Sequence, residues 1–183
     1  MLFQSITYNL RGTAYFLEPL TGSLLTKEAT GEAGVVRPPK ERKDNFKYLA
    51  DPFLLAPRAY NGERTFRVSW WVKPYARLMK WLCGKSFFLA RQLCKLPLRC
   101  FDNSVDATDY FYTLYPYKFP DQNCLPRAFF AASTSKRFPK HGTIFIGTML
   151  PTVNMHAWII EDGVQADTGD ILWVNFAPVA MIE

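Results

Sequence analysis

A cysteine, a histidine and an aspartate stand in that order within residues 121 to 167, each where its side chain could do chemistry. The cysteine lies in Asp121-Gln122-Asn123-Cys124-Leu125-Pro126-Arg127. Proline is tolerated in the first turn of a helix, and Asp121 or Asn123 is a suitable cap, so the pattern predicts a helix from about Cys124 to Lys136. At a helix start the dipole and the unpaired backbone N–H groups favour a thiolate, and the same groups can hold the oxyanion that forms when a thiolate attacks an amide. A free cysteine is more commonly a small buried apolar residue. Position at a helix start separates Cys124 from Cys83, Cys94 and Cys100, which lie on or beside amphipathic stripes and read as structural thiols.

The histidine, His156, falls in the apolar run Met155 to Ile160, a predicted strand that follows a first strand over residues 143 to 150 and a turn over 151 to 154. Glu161-Asp162-Gly163-Val164 predicts a tight hairpin turn. A two-residue loop at Asp162-Gly163 pairs Glu161 with Val164 and sets Trp158 opposite Asp167. Directly opposed side chains share a face, so Asp167 becomes a diagonal neighbour of His156, close enough to orient an imidazole. A three-residue loop reverses the parity and makes Asp170 the partner. In this reading Cys124 attacks a carbonyl, His156 takes the thiol proton and returns it to the leaving amine, and Asp167 holds the imidazole tautomer. Gln122 and Asn123 are candidate side-chain donors to the oxyanion, Arg127 is read as a positioning residue, and Trp158 accompanies His156 on its face. His141, beside Lys140 and Gly142, reads as a surface loop residue.

Other elements must hold these residues in place. Residues 2 to 9 and 14 to 17 predict a β-hairpin turning at Arg11-Gly12-Thr13, with Ser23 to Thr26 as a third strand. From Glu28 to Pro57 glycines, prolines and charges break any periodicity, so a domain boundary is expected there, with a short helix around Asp44 to Ala50. Ser69 to Pro74 starts a helix in which Tyr75, Leu78, Met79, Leu82 and Cys83 recur at steps of three and four. A second such run carries Phe87, Phe88, Ala90, Leu93 and Cys94 as far as Pro97. These are two basic amphipathic helices, or one bent at Gly84. A further helix is expected over residues 106 to 115 with Asp106 in its first turn.

With 183 residues and 49% hydrophobic content against 21% charged, the chain can bury a core of its own and is not a disordered segment. Only two histidines and no CxxC pair argue against a zinc site, and no metal is expected. There is no secretory signal pattern and no apolar run of about 18 residues, so a reducing cytoplasm is the default location. Net charge is +6, and every charged residue from Arg64 to Arg99 is Lys or Arg. Such a stretch is ordinarily solvated; its functional readings are an acidic peptide or peripheral membrane contact through residues 70 to 99, and nucleic acid is not among the expected partners.

The Cys, His, Asp order is that of papain-like and transglutaminase-like thiol enzymes. More closely, the chain resembles the lasso-peptide leader peptidases of bacteria, transglutaminase-like cysteine proteases that work beside a lasso cyclase. The resemblance rests on Asn-Cys-Leu-Pro-Arg at 123 to 127, Ile-Phe-Ile-Gly-Thr at 144 to 148, His-Ala-Trp at 156 to 158, and the Asp-Gly then Asp pattern ending at Asp167. It covers roughly residues 66 to 183. It implies an α+β fold: a papain/transglutaminase-like protease domain over 61–183, with N-terminal helices and an antiparallel sheet, preceded over 1–60 by a small β-rich, winged-helix-like module for precursor recognition. It also implies a Cys124-His156-Asp167 triad that cleaves the leader from a ribosomally made precursor, so that an asparagine-synthetase-like cyclase can close the ring. No cofactor is evident; some members need ATP, and this chain carries no glycine-rich phosphate loop. Competing readings are acyl transfer to an amine by a transglutaminase or amidase, and a non-catalytic peptide- or membrane-binding module.

Overall fold

The computed structural model describes residues 3–11, 13–28, 30, 34–37, 45, 58, 65–116, 122–149, 154–167 and 176–183. It is a mixed α+β structure with antiparallel sheets. The strands are β1 (Phe3–Ser5), β2 (Thr7–Leu10), β3 (Thr13–Leu17), β4 (Leu24–Glu28), β5 (Gly34–Arg37), β6 (Gly142–Met149), β7 (Asn154–Glu161), β8 (Val164–Gln165) and β9 (Ala177–Ile182). The helices are α1 (Val72–Cys83), α2 (Phe87–Leu93), α3 (Ser104–Leu114), α4 (Cys124–Thr134) and the single turn α5 (Phe138–His141).

One sheet has the order β1-β9-β6-β7-β8 and the other β4-β3-β2-β5. The predicted hairpin forms as β2 and β3 about Arg11, whose φ of 51° suits a tight turn, and β4 adds as its third strand. Two features depart from expectation. The run over residues 2 to 9 is not one strand: it breaks at the buried Ile6, so that β1 pairs with β9 in the larger sheet while β2 enters the smaller one. β5, in the stretch expected to hold a domain boundary, pairs with β2. Of the helix expected around Asp44 to Ala50, only Asn45 is among the described residues; it lies in a turn, its side-chain amide donating to His141 C=O at 2.9 Å.

The two basic helices form as two, α1 and α2, with Gly84 capping the first and the Ser86 hydroxyl accepting from Leu89 N–H at the start of the second. α3 begins at Ser104, ahead of the helix expected over 106 to 115, because Asn103 caps it by accepting from Asp106 N–H at 2.8 Å. α4 has no solvent face: Ala128, Phe129, Phe130, Ala131 and Ala132 are all buried. The rings of Tyr75, Phe101, Tyr110 and Phe111 surround Phe130 at centroid distances of 5.5 to 6.1 Å. The sheet offers alternating faces. Ile144, Ile146, Ala157 and Ile159 join the core built on α4, while Phe145, Trp158, Ile160 and Met181 form a second cluster with Ile6.

Glu161 ties three elements together at the end of β7. Its carboxylate accepts from Ser104 N–H at 2.9 Å and the Ser104 hydroxyl at 2.5 Å, both at the start of α3, and from the Ser135 hydroxyl at 2.8 Å just after α4. A buried carboxylate placed at a helix N-terminus is favoured by the dipole and by the N–H it caps. Replacing Glu161 with Ala leaves those donors without their acceptor, and urea denaturation should show a loss of about 2–4 kcal/mol; a loss below about 1 kcal/mol would mean that water substitutes for the carboxylate.

Candidate active site

Cys124 is the first residue of α4, as its spacing from Pro126 implies, with Asn123 at the cap and Arg127 N–H donating to Asn123 C=O at 2.9 Å. The helix ends at Thr134 because Ser135 turns extended. Cys124 is buried at 8% exposure, and His156 on β7 at 3%. Both line one cavity of about 320 Å³, whose walls also include Leu125, Ile146, Met155, Ala157 and the α1–α2 bend over residues 83–87. The turn after β3 supplies the remaining wall through Thr21 and Gly22. Gly22 has a φ of +72°, and a Cβ there would stand 2.7 Å from the Phe87 ring, so only glycine lets this turn approach α2 so closely. Glu18 braces the turn by accepting from Thr21 N–H at 2.7 Å, and Arg91 donates to Pro19 C=O at 3.0 Å.

His156 is held by aromatic rings. It stacks on Trp158 at 6.0 Å with planes 12° apart and meets Phe176 at 5.2 Å, while Trp158 stacks in turn on Phe145. Gly147 stands opposite His156 in the β6–β7 ladder, at the bulge where β6 shifts register against β9. A Cβ on Gly147 would fall 2.9 Å from Phe176 and 3.0 Å from Trp158, so the missing side chain makes room for the rings that pack on the imidazole. His156 shares the face of Trp158, whereas Ala157 and Ile159 point to α4. Cys124, in the core cluster on the α4 side, and His156 both line the cavity.

The hairpin turn is the two-residue type expected: Asp162 and Gly163 have φ of 51° and 76°, and Glu161 pairs with Val164. The ladder runs to Gln165 opposite Ile160, and Ala166 N–H still donates to Ile159 C=O at 2.9 Å. The chain then bends. Instead of continuing opposite Trp158, the Asp167 carboxylate accepts from Arg127 Nε at 2.6 Å, forming an ion pair with both side chains buried. The Arg127 guanidinium also lies over the Tyr112 ring at 4.6 Å. Arg127 thus binds the chain's own carboxylate. The pair fastens the first turn of α4 to the segment after β8, at an ionic site that would be costly to break from one side. Asp170, the alternative third residue, lies outside the described residues.

Gln122 is exposed in the turn before α4, Asn123 is half-buried, and Trp158 is core rather than a cavity group. His141 ends the short helix α5 instead of lying in a loop; it is exposed as expected, with Nδ1 3.0 Å from Asp162. Cys83 lines the cavity too, a placement that its position on an amphipathic stripe did not reveal. Burial pushes the Cys83 thiol up, raises Cys100 despite nearby Lys136, and takes Cys94 up to about 12. A larger cavity of about 600 Å³ opens near the start of α3, bounded by Asp102, Asp106, Arg137 and Glu161, and holds none of the residues predicted for catalysis.

No family model, no curated protein and no solved structure matches the chain.

The raised Cys94 thiol links stability to pH. The unfolded chain releases this proton near the ordinary value of 9.0 and the folded chain only near 12. Its contribution is therefore fully present below about pH 9 and fades as pH rises towards 12. Urea midpoints should fall between about pH 8 and pH 10.5, and Cys94→Ala should fall less steeply over the same range; equal slopes would show that Cys94 does not carry the effect.

Proposed function

We propose that the chain is a thiol hydrolase of papain/transglutaminase-like type, with Cys124 as nucleophile and His156 as its acid and base. The observation that carries this reading is the shared cavity, to which a helix start brings Cys124 and a strand brings the buried His156. Cys83, Cys94 and Cys100 are raised by burial and are not assigned the role.

In the proposed reaction His156 accepts the Cys124 proton as the sulfur adds to an amide carbon, and the oxyanion is met by backbone N–H groups at the start of α4. Collapse breaks the C–N bond, and His156 delivers the proton to the departing amine. Water, deprotonated by His156, then hydrolyses the thioester and restores the thiol. Asp167, paired with Arg127, holds the first turn of α4 in place.

The substrate proposed is a ribosomally made lasso-peptide precursor, cut between leader and core ahead of ring closure by an asparagine-synthetase-like cyclase. The ordered motifs at Cys124, His156 and Asp167 support it, as does the contribution of Thr21 and Gly22, from the N-terminal strands, to the same cavity as the thiol. A peptide bound there touches both parts of the chain.

Incubating the purified chain with such a precursor, with and without ATP, should yield separate leader and core by mass spectrometry. Cys124→Ala and His156→Ala should each slow cleavage by about 10²-fold or more. Undiminished cleavage by Cys124→Ala rules out the thiol mechanism, and incorporation of an added amine in place of water identifies acyl transfer.

A further inference from the structure

The outward faces of α1 and α2 carry a combination for which catalysis has no use. Val72, Ala76 and Met79 turn α1 into the core around α4, and Phe87 and Ala90 do the same for α2. The opposite sides are open. Trp70, just before α1, is 86% exposed and Trp81 59%, and Leu78, Phe88, Leu89 and Leu96 are exposed as well. Leu78 and Trp81 stand three residues apart and so fall on one side of α1, with Pro74 one turn earlier. Lys73, Arg77, Lys85 and Lys95 are exposed among them, and no acidic residue occurs from Arg64 to Arg99. Lys80 and Arg91 are engaged within the fold, over the rings of Tyr115 and Phe3.

We propose that this face rests on the surface of an anionic phospholipid bilayer. Trp70, Trp81, Leu78, Phe88 and Leu89 enter the headgroup boundary, and Lys73, Arg77, Lys85 and Lys95 meet lipid phosphates. Indole rings favour that boundary because it receives an apolar ring and an N–H together, and flexible lysine stems can lie along it with their charges in water.

Charge and shape both favour lipid over an acidic protein. Three of these four cations are lysine, which protein interfaces exclude in favour of arginine, and the apolar side chains are strung along two helices instead of converging on one anchor. No helix among the described residues is long and apolar enough to cross a membrane, so the contact is peripheral. Gly84 and Lys85, at the bend between the helices, also line the Cys124–His156 cavity, which places that cavity beside the contact.

The test is sedimentation of the full chain with vesicles of phosphatidylcholine alone or with about one-third phosphatidylglycerol. The chain should pellet with the anionic vesicles only, with blue-shifted tryptophan emission, and be released by salt. Each of Lys73→Gln, Arg77→Gln and Lys85→Gln should weaken binding about fivefold. Trp81→Ser should weaken it too, circular dichroism showing each variant folded. Failure to pellet with anionic vesicles, equal binding to neutral ones, or undiminished binding by the variants overturns the proposal. Capture by polyglutamate but not by vesicles would also overturn it and mark the face as a protein contact. Peptide cleavage is not read here, so a negative result leaves the thiol chemistry standing.

Discussion

Because α4 carries Ala128, Phe129, Phe130, Ala131 and Ala132 around its circumference, it must be covered on every side, and that requirement organises the chain. The larger sheet covers one flank with Ile144, Ile146, Ala157 and Ile159, and α1, α2 and α3 cover the others. Even the ends of α4, Cys124 and Thr134, are buried. Its C-terminal hydroxyls turn inward, Ser133 and Thr134 donating to carbonyls one turn back and Tyr75 donating to Ser133 Oγ at 2.9 Å. Its N-terminal end is where the cavity forms, and the residue there is Cys124. The placement of the thiol thus follows from the packing of the whole helical layer.

Buried charge does the fastening that apolar contact cannot. Arg127 with Asp167 fixes the start of α4, Glu161 joins the end of β7 to the start of α3, and Arg58 pairs with Asp109 on α3. Each of these carboxylates is satisfied by a specific donor, so a shifted helix would leave an unpaired charge in the interior.

Local features of this arrangement can be read from residue order. Pro126 and Asn123 locate the start of α4, Asp162-Gly163 dictates a two-residue turn, and the steps of three and four mark α1 and α2. Features that depend on distant partners cannot. Nothing in residues 2 to 9 shows that Ile6 divides two sheets, because alternation looks the same on either side of it. β5 is four residues among glycines and prolines and is recognisable only by its partner β2. Parity along the hairpin sets Asp167 on the side of His156 if the ladder continues, but it does not show that the carboxylate pairs with an arginine forty positions upstream. The room made by Gly147 likewise depends on Phe176, which comes from beyond the hairpin.

The central claim is that Cys124 and His156 act as one unit across their shared cavity. The most direct measurement is the rate of Cys124 alkylation by iodoacetamide against pH, followed by peptide mass mapping, in the native chain and in His156→Gln. The account predicts a native profile that rises at lower pH than that of an ordinary thiol and moves up by about one pH unit or more without the imidazole. Superimposable profiles for the two chains would contradict it.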